Sequence, residues 1–430
     1  MKILCSGDLH VGRGPSRLPD AIDAKALSCG ECWGSLVDLA LSEKVDLLAL
    51  SGDIVDQANK YYEATGPLER GLRRLAEAAI QVVAVAGNHD HDVLPRLIAD
   101  LDSDNVKFLG AGGRWERHTI VKEGVPVLHV DGWSFPSAIY RDDPLRGYAS
   151  GDGDGVPVLG LLHADLDQPG SPYAPVRLPD LQRLPPSFWL LGHVHVPGLY
   201  GNRVLYPGSP QAMDPGESGP HGPWLLELHG HGRHEIRQLP LSLVRYEVIE
   251  VDVTGATDEL HVDSAVRNAV VSKLREIEIE GCGPLKYLSC RILLVGRTAL
   301  HRKLLSRTDR IGSGSSIPGG STASALIERI SVATRPPVDL NDLARVADAP
   351  GTIARLLLAL ESGELDAEQE KLVRQAERRA REVANSKAFS ALSDSGGSSD
   401  SLVASGEIID ILKDQSYLLL DELLASKERV

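Results

Sequence analysis

The chain has 430 residues, 60 acidic against 45 basic, giving a formal net charge of −15, with 42% hydrophobic and 24% charged side chains. This is the balance of an ordinary globular protein long enough for two or three domains, and the negative charge excludes broad, non-specific coating of nucleic acid. Nucleic acid survives as a substrate, because metal ions held in a site can bind a scissile phosphate themselves. No apolar run reaches the length of a membrane span, and Met1 leads almost at once into a strand, without the basic and apolar regions of a leader. Of the five cysteines, Cys29 and Cys32 flank a helix start in Cys-Gly-Glu-Cys and are read as buried or helix-packed thiols. A cytoplasmic location is expected.

In chain order, apolar runs predict strands at Lys2–Ser6, Val45–Ser51, Ile80–Ala86, Val158–Leu162 and Phe188–Leu191. Glu31–Lys44 is helical, with Trp33, Leu36, Val37, Ala40 and Leu41 on one face, and Leu68, Leu72, Leu75 and Ala79 repeat that spacing. The region then turns β-rich, adding Val125–Val130, Arg203–Tyr206 and Trp224–Leu228 between Gly and Pro clusters. This order fits an α/β fold of two packed sheets flanked by helices better than one doubly wound sheet. Ser150–Gly155 is read as a solvated turn, since it lacks the terminal Glu of a calcium loop.

Beyond Leu239–Leu243, a strand at Tyr246–Val253, a helix at Ala265–Ile277 and a strand at Tyr287–Val295 form a small α+β unit. Ser306–Thr322 and Ser393–Ser401 read as linkers. Helices are expected at Asn341–Ala347, Thr352–Leu360, Asp366–Ser386 and Gly406–Lys427. The last carries a 3-4-3-4 seam of Ile409, Leu412, Ser416, Leu419 and Leu423, suited to helix packing within the chain or on a partner. The expected divisions are 1–240, 241–305, a 306–322 linker, and a helical 323–430 region with a partner-binding role.

The chemistry lies at the strand ends. Asp8 and His10, Asp53, Asn88 with His89 and Asp90, His163, and His193 with His195 each follow an apolar run. An open α/β sheet brings such ends to one ligand-binding edge. Carboxylate, amide oxygen and imidazole without thiolate suit Mn, Fe, Zn or Mg. Seven donors exceed the needs of one ion, so two divalent ions sharing Asp53 are expected. Asp8, His10 and His195 complete one ion's shell, and Asn88, His163 and His193 the other's. His89, next to a ligand, is left to act as general acid or to stabilise phosphate charge, with Asp90 orienting it. Asp56 and His91 are read as outer residues or solvent-facing, and His229, His231 and His234 as an exposed hairpin.

Asp-x-His, Gly-Asp, Gly-Asn-His-Asp and Gly-His-x-His together resemble the calcineurin-like metallophosphoesterases. Val45–Asp56 and Tyr206-Pro207-Gly208-Ser209-Pro210-Gln211 are similar to the nuclease subunit of bacterial SbcCD-type DNA repair complexes, including YhaO-like exonucleases. Gly296–His301 closes a unit similar to that group's capping domain. The resemblance implies a four-layer αββα fold and metal-dependent DNA exonuclease and endonuclease activity, usually with manganese. It also implies an SMC-like, coiled-coil ABC-type ATPase partner, and it allows a homodimer. Asp56 stands where relatives often carry a His, and His91 where a small residue is common. A phosphate-contacting edge is expected from Arg297, Arg302 and Lys303 within the basic run Arg291–Arg310. The alternatives weighed are a small-molecule phosphodiesterase or phosphatase and a scaffold with a vestigial site. Protein Ser/Thr phosphatase is disfavoured because Gln57-Ala58 follows Asp56 where that group has Arg-Gly.

Overall fold

The structure, a computed structural model, describes residues 1–19, 22–57, 61–101, 103–149, 154–229, 233–281, 283–306, 315–318, 323–384 and 405–427. Two compact units emerge, the larger formed by Met1–Asp252, Leu260–Leu294 and Leu305–Val332. It begins with β1 (Lys2–Ser6), α1 (Cys29–Glu43), β2 (Leu47–Leu50), α2 (Tyr61–Glu77), β3 (Gln81–Ala84), α3 (Leu94–Leu101) and β4 (Val106–Phe108). There follow β5 (Glu116–Lys122), β6 (Val125–Trp133), β7 (Val158–His163), α4 (Leu178–Arg183), β8 (Phe188–Gly192), β9 (Gly198–Tyr200) and β10 (Val204–Tyr206). β11 (Trp224–Leu228) and β12 (His234–Gln238) complete the first two sheets.

The first sheet runs β12-β11-β1-β2-β3-β4 and the second β5-β6-β7-β8-β10-β9. Strands β1 to β4 are mutually parallel, as are β6, β7, β8 and β10, so each sheet sends its carboxyl ends to one edge. Ile3, Cys5, Leu47, Ala49 and Val83 of the first sheet pack against Val130, Leu159, Leu161 and Leu190 of the second. The opposite face of the first sheet buries Leu4, Leu48 and Val82 against Trp33, Leu36 and Ala40 of α1 and Leu68, Leu72 and Leu75 of α2. The outer face of the second sheet is closed by Trp133, Leu162 and Trp189 with Leu181 of α4. Two mixed sheets flanked by helices are therefore the architecture, as the order of elements suggests.

Helix α1 starts earlier than its apolar spacing indicates because Ser28 caps it, its Oγ accepting from the Glu31 N–H at 3.3 Å. Cys29 and Cys32 are buried on its inner face and unpaired by disulfide. Strands β4, β5, β9 and β12 were not legible in the apolar pattern. Two have only three residues, and β5 and β12 are polar outer strands whose pairing, not composition, makes them strands.

A third sheet, β13-β14-β16-β15, is built from β13 (Val244–Asp252), β14 (Tyr287–Val295), β15 (Ser315–Pro318) and β16 (Ser324–Val332). Helix α5 (Glu259–Glu280) supplies its apolar stripe, Val262, Val266, Val270, Leu274 and Ile277. Two expectations are corrected here. A strand stands inside the expected 306–322 linker, and Ser324–Val332, expected to open a helical region, pairs in parallel with β14. That contact is remote in sequence, and a short apolar run does not distinguish strand from helix by itself.

The second unit comprises Val253–Glu259, Val295–Leu304 and Ala333–Val430. It contains α6 (His301–Leu305, except its last residue), α7 (Leu340–Ala344), α8 (Ala349–Ser362), α9 (Ala367–Ala384) and α10 (Ser405–Lys427). Leu420 of α10 packs with Leu340, Ala354 and Leu357. The buried stripe of α10 is Ile408, Ser416 and Leu420, whereas Leu419, placed in the seam by spacing, is 45% exposed. The seam is rotated because a 3-4-3-4 pattern and an i, i+4 stripe coincide at Leu412 and Ser416 and diverge at the ends. The Ser393–Ser401 linker lies outside the described residues. Among the described residues no helix is long and apolar enough to cross a membrane.

Gly160 of β7 lies under the Trp189 indole of β8, where an added Cβ would meet Trp189 Cε3 at 2.2 Å. The indole is pinned by its Nε1–H, which donates to the Leu181 carbonyl at 3.0 Å. Gly160→Ala should therefore lower the unfolding free energy by about 1–3 kcal/mol through overpacking. Urea unfolding followed by tryptophan fluorescence checks this.

Candidate metal centre

The loops after β1 and β2 continue pairing beyond their strands. The Asp8 N–H donates to the Gly52 carbonyl at 3.0 Å, that of His10 to Asp53 at 3.0 Å, and that of Val11 to Ile54 at 2.8 Å. Asp8, His10, Asp53 and His193 all hold left-handed backbone, with φ of 49°, 45°, 49° and 97°. Such residues persist where surrounding bonds over-determine them, and they cluster at functional sites. Here the side chains of both sheets turn into one buried space. Asp8, His10, Asp53 and His163 are each no more than 1% exposed.

The imidazoles are oriented by what their outer nitrogens bind. His10 Nδ1–H donates to Asp56 Oδ1 at 3.2 Å, and His195 Nδ1–H to Glu217 Oε1 at 2.8 Å. With those tautomers, two Nε2 lone pairs face each other at 3.1 Å. A cation between them resolves that opposition, and Asp8 lies within the same 4.8 Å donor group. Across the space, His163 Nδ1–H donates to the Ser51 carbonyl at 3.0 Å. Its Nε2 is 3.1 Å from Asn88 Oδ1 and 3.3 Å from Asp53 Oδ2. His193 Nδ1 is also 3.1 Å from Asn88 Oδ1, while its Nε2 lies 3.3 Å from Asp165 Oδ1. Asp53, His163 and His193 form a second donor group. Asp53 Oδ2 is 3.9 Å from His10 Nε2, so this carboxylate stands between the two groups.

Both groups are hard oxygen and imidazole donors, and they fit divalent ions. Burial resists ionisation of Asp53, yet His163, His10 and His89 hold its carboxyl well below the usual range. Burial likewise disfavours a charged His163, but Asp53 overrides it and raises the imidazole to about 9. The site thus stores a buried carboxylate beside displaceable protons, which is the state metal ions replace.

His89 is not a member of the two groups that hold the expected ligands, and it shares a third with His10 and Asp56. Its backbone N–H donates to Asp53 Oδ1 at 2.9 Å, and its Nδ1–H to the Asp56 carbonyl at 2.8 Å, leaving Nε2 without a hydrogen-bond partner among the described residues. Asp90 is not what orients it. The Asp90 carboxylate accepts instead from the N–H groups of Gly87, Ile54 and Val55 at 2.8, 2.7 and 3.3 Å, tying the β3 loop to the β2 loop. Burial and the Asp53 charge push its carboxyl up to about 7.

Two groups escaped the sequence reading of roles, Glu217 and Asp165, which hold outer imidazole nitrogens; Asp56, read as an outer or solvent-facing residue, holds that of His10. Asp165 follows His163 by two residues at a strand end, a weak signal; Glu217 lies 22 residues beyond His195, where spacing carries none. His91 Nδ1–H donates to the Asn88 carbonyl at 3.2 Å.

The basic run is otherwise engaged. Arg297 donates to both oxygens of Asp421 at 3.1 Å and lies 4.7 Å over the Tyr417 ring. Arg291 pairs with Glu328 and Lys303 with Glu259. Arg302 also has partners, and Arg307 and Arg310 lie outside the described residues. In the expected phosphate-contacting edge of Arg297, Arg302 and Lys303, carboxylates thus pair with Arg297 and Lys303. His231 lies outside the described residues, and His229 Nε2 is 3.6 Å from Glu235 Oε1 on the surface.

Residues 1–197 match the family described as calcineurin-like phosphoesterase. Residues 246–335 match the middle domain of metallophosphoesterase YhaO. The chain is 29% identical over 281 residues to the uncharacterized metallophosphoesterase YhaO of Bacillus subtilis, covering 63% of this chain and 67% of that protein. It is 26% identical over 296 residues to the DNA double-strand break repair protein Mre11 of Methanopyrus kandleri, covering 64% of each. It is 25% identical over 296 residues to a subunit of nuclease SbcCD from Rhodobacter capsulatus, covering 57% of this chain and 71% of that one. The matches thus span roughly two thirds of these relatives' length.

Asp53→Asn should weaken both ions, because its carboxylate stands between the groups, while His10→Ala should weaken one. At Gly87, an added Cβ would sit 2.2 Å from Asp53 Oδ1, so Gly87→Ala should lower metal content in protein that remains folded. Metal analysis beside circular dichroism checks all three.

Uptake should also depend on pH. An ion entering at His163 must displace a proton held up to about 9, so affinity should fall on acidification, roughly tenfold per pH unit for one displaced proton. Titration calorimetry in buffers of different ionisation heat counts the protons released. A pH-independent affinity would contradict this arrangement.

Proposed function

Because residues 1–197 are a calcineurin-like phosphoesterase domain, we propose that this chain is a metal-dependent DNA nuclease, cutting phosphodiester bonds as an exonuclease and endonuclease. In this reading it uses manganese and works in the cytoplasm as the nuclease subunit of a DNA repair complex driven by a coiled-coil ATPase. The observation that carries the reading is the convergence of two donor groups on Asp53 with His89 beside them. The relatives named for DNA double-strand break repair and as part of a nuclease support DNA as the substrate.

Divalent ions bound there supply an acidified water and neutralise phosphate charge. The chain's own residues do the rest. Asp56 and Glu217 on one side, and Ser51 and Asp165 on the other, keep the imidazoles turned inward. His89, fixed through Nδ1 to the Asp56 carbonyl, directs Nε2 away from that anchor. Protonated there, it donates to the departing sugar oxygen as the phosphorus–oxygen bond breaks.

The test is hydrolysis of single- and double-stranded DNA with Mn²⁺, with Mg²⁺ and with chelator, beside a bis-nitrophenyl phosphate. Faster turnover of the nitrophenyl ester with no DNA cleavage would favour the small-molecule phosphodiesterase. His89→Asn should retain metal and DNA binding yet lose DNA turnover by about 10²–10⁴, the usual worth of a general acid. The nitrophenyl ester should suffer less, since its leaving group needs little protonation. Equal slowing of both substrates, or loss of metal, would exclude the proton-donating role.

A further inference from the structure

Among the four ligand imidazoles, His195 has the shortest bond from its outer nitrogen, 2.8 Å to Glu217 Oε1. The partner is a buried carboxylate, 8% exposed. Its second oxygen is occupied too: Oε2 accepts from Ser209 Oγ–H at 3.0 Å and from the Met213 N–H at 2.8 Å. Ser209 in turn donates its own N–H to the His195 carbonyl at 2.9 Å. His195, Glu217 and Ser209 thus close a ring of hydrogen bonds, and the ring is anchored once more where His221 Nδ1–H donates to the Ser209 carbonyl at 2.7 Å. Among the described residues, the donors to this carboxylate come from the ligand imidazole and from the segment that follows β10.

We infer that Glu217 is a positioning residue for the ion held by Asp8, His10 and His195, and for that ion only. The inference rests on the metal-centre reading above. A carboxylate on Nδ1–H fixes the tautomer that leaves Nε2 as the donor, orients the ring and strengthens it as a ligand. The second ion's imidazoles are held differently, by the Ser51 carbonyl and by Asp165, and neither shares an atom with the Glu217 ring. Removing the Glu217 charge therefore acts on one ion and spares the other.

The experiment is calorimetric titration of the full chain with Mn²⁺, which does not depend on turnover. Wild type should take up two ions. Glu217→Gln should weaken one of them by about 10–100-fold, the usual effect of losing such an outer partner. In a His163→Ala background, which leaves chiefly the Asp8, His10 and His195 group, Glu217→Gln should produce the same weakening; in a His10→Ala background it should add nothing. Thermal unfolding of each variant tracks the fold. Should Glu217→Gln fail to fold, Ser209→Ala, which removes one donor to Oε2, must still weaken the same ion, by a smaller factor. Equal weakening of both ions, or unchanged binding of both, overturns the positioning role while leaving the two-ion centre standing. A wild-type chain that takes up no Mn²⁺ overturns the centre itself and the inference with it.

Discussion

Everything at the centre depends on how closely the ends of β2, β3 and β7 approach one another. His163 reaches across from the second sheet to donate to the Ser51 carbonyl of the first. At that meeting point Gly52 and Gly87 face each other: a Cβ on Gly52 would lie 2.7 Å from the Gly87 nitrogen and 2.8 Å from His163 Nδ1. No side chain larger than hydrogen fits. The two sheets can therefore share one set of ligands only because backbone, not side chain, fills the seam between them. Gly52 also needs its φ of 97°, which only glycine adopts readily.

The same approach explains why strained backbone is tolerated. Left-handed residues at ligand positions cost of order 1–3 kcal/mol each. They are held by a ladder of main-chain bonds between the β1 and β2 loops and by the Asp90 carboxylate, which collects N–H groups from two loops. Asp90 is thus a structural member of a motif whose other residues bear chemistry. Its high carboxyl pKa follows from burial and from the Asp53 charge, and its backbone bonds oppose that shift.

Charge is arranged locally rather than over the whole chain. A net charge of −15 coexists with a centre in which buried carboxylates face imidazoles. Among the basic side chains that stood out in the sequence, Arg297 pairs with Asp421, Arg291 with Glu328 and Lys303 with Glu259.

The order of apolar runs and the motifs after them determined the α/β class and the paired sheets. Strand geometry alone sends such ends to one edge, so Asp8, His10, Asp53, Asn88, His163, His193 and His195 were legible as one group. What the sequence could not determine was whatever depends on contacts remote along the chain. Glu217 reaching His195, the β14–β16 pairing and the rotation of the α10 stripe have no local signature. Nor had the pairing of Arg297 with a carboxylate 124 residues away. Periodicity specifies which face a segment buries, but only the packed structure specifies against what, because that choice is made by the distant partner.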